Sequence, residues 1–61
     1  MKLSIVFEQL QKIYGETFLK GATNEIDLIV FFENDKKITI NNYDKLTAED
    51  ILIMIEKIYN S

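Results

Sequence analysis

The stretch Glu25-Ile26-Asp27-Leu28-Ile29-Val30-Phe31-Phe32-Glu33 decides the fold. It is rich in β-branched and aromatic residues and is bounded by turn formers, which predicts a strand over 25–33. Alternation sends Leu28, Val30 and Phe32 to one face and Ile29 and Phe31 to the other. A strand covered on one side alternates apolar with polar residues, whereas this one is apolar on both.

Asn34-Asp35 follow as a turn, because Asn and Asp tolerate positive φ and bond to nearby backbone. Residues 36–41, Lys-Lys-Ile-Thr-Ile-Asn, then read as the second strand of an antiparallel hairpin. A two-residue loop sets Phe31 opposite Ile38 and Ile29 opposite Ile40. A three-residue loop sets Phe32 opposite Ile38, Val30 opposite Ile40 and Glu33 opposite Lys37. The second register gives the richer core face and leaves Ile29 and Phe31 beside Thr39 on the outside. It also demands a left-handed residue near Lys36, which is a cost for a side chain other than Gly. The adjacent pair Lys36-Lys37 reads as a solvated hairpin tip.

Upstream, residues 3–14 have helical periodicity, with Leu3, Val6, Phe7, Leu10, Ile13 and Tyr14 on one face. Gly15 suits the left-handed position that ends a helix. In 16–24, Thr17–Lys20 allows a third short strand, and Gly21 marks a turn. Downstream, 41–46 form a polar connection. Thr47 with Asp50 three residues on resembles a capping box, with Glu49 and Asp50 at the positive end of the helix dipole. This helix runs to about Tyr59 and carries a broad stripe of Ala48, Ile51, Leu52, Met54, Ile55, Ile58 and Tyr59.

The order helix, hairpin with an optional third strand, helix describes one small two-layer α+β domain over 1–61. Both helices cover one face of the antiparallel sheet. The second face then needs a second copy of the chain, the 16–24 segment folded over it, or a different protein. Ile53 lies opposite the stripe of the second helix, and Ile5 lies beside Glu8, Gln9 and Lys12 on the first. Tyr43 stands alone in the polar stretch Asn41-Asn42-Tyr43-Asp44, as a contact residue or as a loop anchor on the core. Ile29, Phe31, Ile53, Ile5 and Tyr43 are therefore the candidate partner or dimer interface.

Composition narrows the chemistry. The chain has 61 residues, 48% of them hydrophobic and 28% charged, with a net charge of −3. That is a globular composition, in a chain near the lower size limit for folding alone. There is no Cys, His, Pro, Trp or Arg. No disulfide staples the core, and no Ser-His-Asp or Cys-His relay can be assembled from this chain. Seven dispersed lysines against ten carboxylates make no basic footprint, so direct nucleic-acid binding is not expected. With only Gly15 and Gly21, no phosphate-cradling loop can be written. Glu33-Asn34-Asp35 and Glu49-Asp50 read as turn chemistry and helix capping rather than as cation ligands. No metal, cofactor or enzymatic activity is expected. The longest apolar runs, 28–32 and 51–55, are too short to span a membrane. Met1–Phe7 starts like a signal peptide but is interrupted at Glu8-Gln9, so a cytoplasmic chain is expected.

This is a small acidic chain with apolar patches ringed by carboxylates, and its tail begins Leu46-Thr47-Ala48-Glu49-Asp50-Ile51-Leu52. In that format it resembles the small inhibitors carried by phages and mobile elements, among them anti-CRISPR proteins and uracil-DNA glycosylase inhibitors. The resemblance implies a non-catalytic protein that binds and modulates or inhibits a macromolecular partner. Its acidic contact face would draw on Glu33, Asp35, Asp44, Glu49, Asp50 and Glu56. A DNA-mimic version would also need Glu8, Glu25 and Asp27 on that face. The alternative is an accessory or assembly subunit that acts through homodimerisation or incorporation into a larger complex.

Overall fold

A computed structural model describes residues 2–61 and shows an α+β domain. Its elements are α1 (Lys2–Tyr14), β1 (Phe18–Thr23), β2 (Asp27–Phe32), β3 (Lys37–Asn41) and α2 (Ala48–Tyr59). Short 3₁₀ turns, Gly15–Thr17 and Tyr43–Lys45, lead into β1 and α2. The sheet is an antiparallel meander in the order β1-β2-β3.

Local chemistry sets most of these boundaries. Gly15 takes φ +59 just after α1, the left-handed geometry that a missing Cβ permits. At α2 the Thr47 hydroxyl accepts from Asp50 N–H at 3.1 Å, and the Asp50 carboxylate accepts from Thr47 N–H at 3.4 Å, which closes the capping box.

Residues 16–24 do not fold over the sheet. They supply its third strand, longer and later than Thr17–Lys20, and Gly21 lies inside it rather than at a turn. Phe18 pairs with Phe32, but Lys20 pairs with Phe31, so Leu19 is an extra residue at a bulge. Strict alternation from Phe18 would drive Lys20 into the core. The bulge reverses the alternation, so that Lys20 and Ala22 point outward and Gly21 points inward. Leu19 itself is left 58% exposed.

The β2–β3 register differs from both expected pairings. Val30 faces Ile38 and Leu28 faces Ile40, around a loop of Glu33, Asn34 and Asp35. Relative to the register that sets Val30 opposite Ile40 the pairing slips by two residues, which keeps every side chain on the face expected from it. The slip moves the left-handed positions to Asn34 (φ 66) and Asp35 (φ 62), residue types that accept them, and relieves Lys36. The Glu33–Lys37 pairing is not formed. Lys37 faces Phe31, and Glu33 N–H donates to the Thr17 carbonyl at 2.9 Å.

Both helices pack on the inner face, α1 over β1 and α2 over β3. The core is Val6, Leu10, Phe18, Leu28, Val30, Phe32, Ile38, Ile40, Ile51 and Ile55. Burial of each of the larger side chains is worth about 1.5–3 kcal/mol, and no disulfide supplements it. The helical stripes bury less than their periodicity predicts. Ile13, Met54 and Ile58 belong to those stripes but stay exposed, because a three-stranded sheet contacts only a narrow arc of each helix.

Two lysines tie the ends of the helices. Lys2 Nζ donates to the carbonyls of Tyr43 (3.0 Å), Asp44 (3.0 Å) and Leu46 (2.6 Å). Lys36, expected to be solvated, lies 4.2 Å from the centroid of the Tyr59 ring and donates to the Tyr59 carbonyl at 3.2 Å. It thereby places a cation at the negative end of α2. The start of α1 sits beside the lead-in to α2, and Tyr14 at the end of α1 meets Tyr59 at the end of α2, 4.7 Å between centroids. The two helices therefore run in the same direction.

Candidate functional site

The crease between the helices is the best-formed concavity. Leu10, Ile13 and Tyr14 of α1 and Glu49, Leu52, Ile53 and Glu56 of α2 line a groove of about 110 Å³. On α1, Ile5, Gln9 and Ile13 recur every four residues and form one ridge. On α2, Glu49 and Ile53 lie one turn apart on the facing ridge. Ile5, Ile13 and Ile53 are each about half exposed, at 53%, 57% and 47%. The crease therefore presents apolar side chains with Glu49 and Glu56 at its rim. Tyr14, at its closed end, has its phenol pKa raised, first by burial, then by the Glu56 carboxylate and by Tyr59.

The outer face of the sheet is a second, shallower surface. Ile29 and Phe31 are half-buried there by same-face neighbours alone. Lys20 Nζ lies 5.3 Å from the centroid of the Phe31 ring, and Asn41 Nδ2 donates to Asp27 Oδ1 at 2.9 Å. No element of residues 2–61 crosses this face. A further depression of about 450 Å³ opens beside Asn24–Asp27, where Asn24 Oδ1 accepts from the N–H groups of Ile26 (2.9 Å) and Asp27 (2.8 Å).

The candidate interface residues thus divide. Ile5 and Ile53 belong to the helical layer, and Ile29 and Phe31 to the opposite side of the sheet. Tyr43 packs against the core from the 3₁₀ turn before α2, the anchoring position rather than an exposed contact. The candidate acids lie at both ends of the sheet. Asp27 and Glu33 lie at opposite ends of β2, and Asp35 sits in the loop beside Glu33. Asp44 is in the turn before α2, Asp50 caps that helix, and Glu49 and Glu56 flank the crease. Glu8 pairs with Lys12 at 3.9 Å on the exposed side of α1. Ile13 is the crease residue that sequence reasoning missed. Its spacing from Ile5 was the available signal.

Among the described residues, no group of three or more acids is placed to hold a metal ion, and no helix is long and apolar enough to cross a membrane. No family model, curated protein or solved structure matches this chain.

Proposed function

We propose that the chain is a non-catalytic binding protein that modulates a protein partner through the crease between α1 and α2. One observation carries this reading: Ile13 and Ile53 stand exposed on the two walls of a groove rimmed by Glu49 and Glu56. Regular helices hold these side chains in place, so little order has to be gained on binding. The fitting partner surface is an apolar ridge flanked by basic residues, which would satisfy both the isoleucines and the carboxylates. Inhibition of the phage-inhibitor kind is one outcome of such binding. It would follow from occlusion rather than from imitation of DNA, since seven lysines are interspersed among the acids and the net charge is only −3.

The test is affinity capture from a host lysate with three baits: the native chain, an Ile13→Lys/Ile53→Lys variant and an Ile29→Lys/Phe31→Lys variant. The expected result is a partner held by the native chain and the sheet-face variant and lost by the crease variant. Equal capture by all three would reject the crease.

A second reading, an assembly subunit, is favoured by the uncovered outer face around Ile29 and Phe31. Solution mass by light scattering over a range of concentrations decides it. A mass twice the 7.2 kDa chain, reduced to one chain by Phe31→Lys, would favour self-assembly through the sheet.

A further inference from the structure

The free edge of β3 carries an inference independent of the crease. In the β2–β3 ladder, Phe32 N–H donates to the Lys36 carbonyl at 2.8 Å. Antiparallel pairing alternates, so Lys36, Ile38 and Ile40 turn their backbone groups toward β2. Lys37, Thr39 and Asn41 then turn theirs away from it. Each of these three residues presents one N–H and one C=O at an edge that no other strand of residues 2–61 occupies. The β1 edge is different, because the Leu19 bulge interrupts it. The β3 edge is regular throughout.

This edge also has a roof. Strands lie about 4.8 Å apart and packed helices 8–10 Å apart, so α1 and α2 sit above β1 and β3 and overhang the sheet on both sides. The flank of α2 turned away from α1 carries Met54 and Ile58, both exposed. An open ladder below and an apolar flank above would together accommodate one more strand.

We propose that this edge is a strand-addition site for an extended peptide segment of another protein. The backbone of the segment would complete the ladder at Lys37, Thr39 and Asn41. Alternate apolar side chains would pack beneath Met54 and Ile58. Lys37, exposed at one end of the edge, favours an acidic residue in the segment there. A second copy of this chain does not fit. A two-fold axis that pairs β3 with itself about Thr39 would bring the two α2 axes to within about 5 Å, well inside the 8–10 Å that packed helices need.

The test is selection of a displayed random peptide library on the native protein, followed by titration of the enriched peptides. Peptides with alternating apolar residues are expected. Thr39→Pro should weaken them by more than about tenfold, because it removes an outward N–H and sets a ring at the open edge, while an edge strand tolerates proline. Met54→Lys/Ile58→Lys should weaken them similarly, and Ile13→Lys/Ile53→Lys should leave them unchanged. Should Thr39→Pro fail to fold, the enriched peptide N-methylated at alternate amides replaces it. One set of methylations should abolish binding and the complementary set should spare it. Enrichment of no alternating peptide, equal binding to Thr39→Pro, or indifference to the pattern of methylation would each overturn the proposal.

Discussion

Gly21 lies directly beneath the ring of Phe7, so close that a Cβ built on the glycine would overlap the ring edge. The contact joins α1 to β1 and depends on the Leu19 bulge, which turns Gly21 inward. The glycine is required here for space and not for a left-handed backbone. Phe7 also stacks on Phe18 with centroids 6.2 Å apart, which restrains its retreat on that side. Gly21→Val should cost about 1–3 kcal/mol by overpacking. Combining it with Phe7→Ala should cost less than the two single changes added together. Chemical denaturation of the four proteins measures the coupling, and strict additivity would show that the ring moves freely.

Tyr14 gives a pH dependence of known sign. Burial first, then Glu56 and Tyr59, disfavour its phenolate in the folded chain. A raised folded-state pKa means that the stability linked to Tyr14 is intact below the ordinary tyrosine value near 10 and is lost as pH rises past it. Stability should therefore fall above about pH 10. Tyr14→Phe should flatten that fall, and Glu56→Gln should lower the Tyr14 pKa without removing the effect of burial. Thermal melts between pH 8 and 11, with the tyrosine ring resonances followed by NMR, provide the check.

Lys2 should matter far more than a surface lysine. Its ammonium satisfies three carbonyls of one turn, and truncation would leave them without that donor. Lys2→Met should destabilise the chain by about 1–2 kcal/mol. Amide exchange should accelerate first in 43–47, and exchange distributed evenly over the chain would contradict a local clamp.

The β2–β3 loop admits a stabilising change. Asn34 and Asp35 both hold positive φ, and Asp-to-Gly relieves the second without altering the first. Asp35→Gly should raise stability by about 0.5 kcal/mol, after the added freedom of glycine in the unfolded chain is subtracted. Asp35→Val, β-branched at the same φ, should lower it by more than about 1 kcal/mol. Denaturation midpoints of the two variants on either side of the native chain would confirm the ordering.

What could be read from the amino-acid order is what neighbouring residues control. The capping box at Thr47 and Asp50, the stop at Gly15 and the two-faced strand at Leu28–Phe32 each depend on a few adjacent side chains. The hairpin register was legible only to its parity. Burial distinguishes faces, and a slip of two residues leaves the faces alone. The bulge at Leu19 was not legible, since it becomes necessary only once Phe18 and Gly21 must share the core face. The Lys2 clamp joins residues more than forty positions apart, beyond any local pattern. Of the candidate site, Ile5 and Ile53 followed from helical geometry. Ile13 did not, because its exposure depends on how narrow the sheet beneath the helix is.

That clamp also orders events in time. The β1-β2-β3 meander closes through short loops, and α2 carries its own capping box. The first turn of α1 acquires its partners only when the chain has been made as far as Leu46. The start of α1 therefore cannot complete its native contacts before the lead-in to α2 is in place.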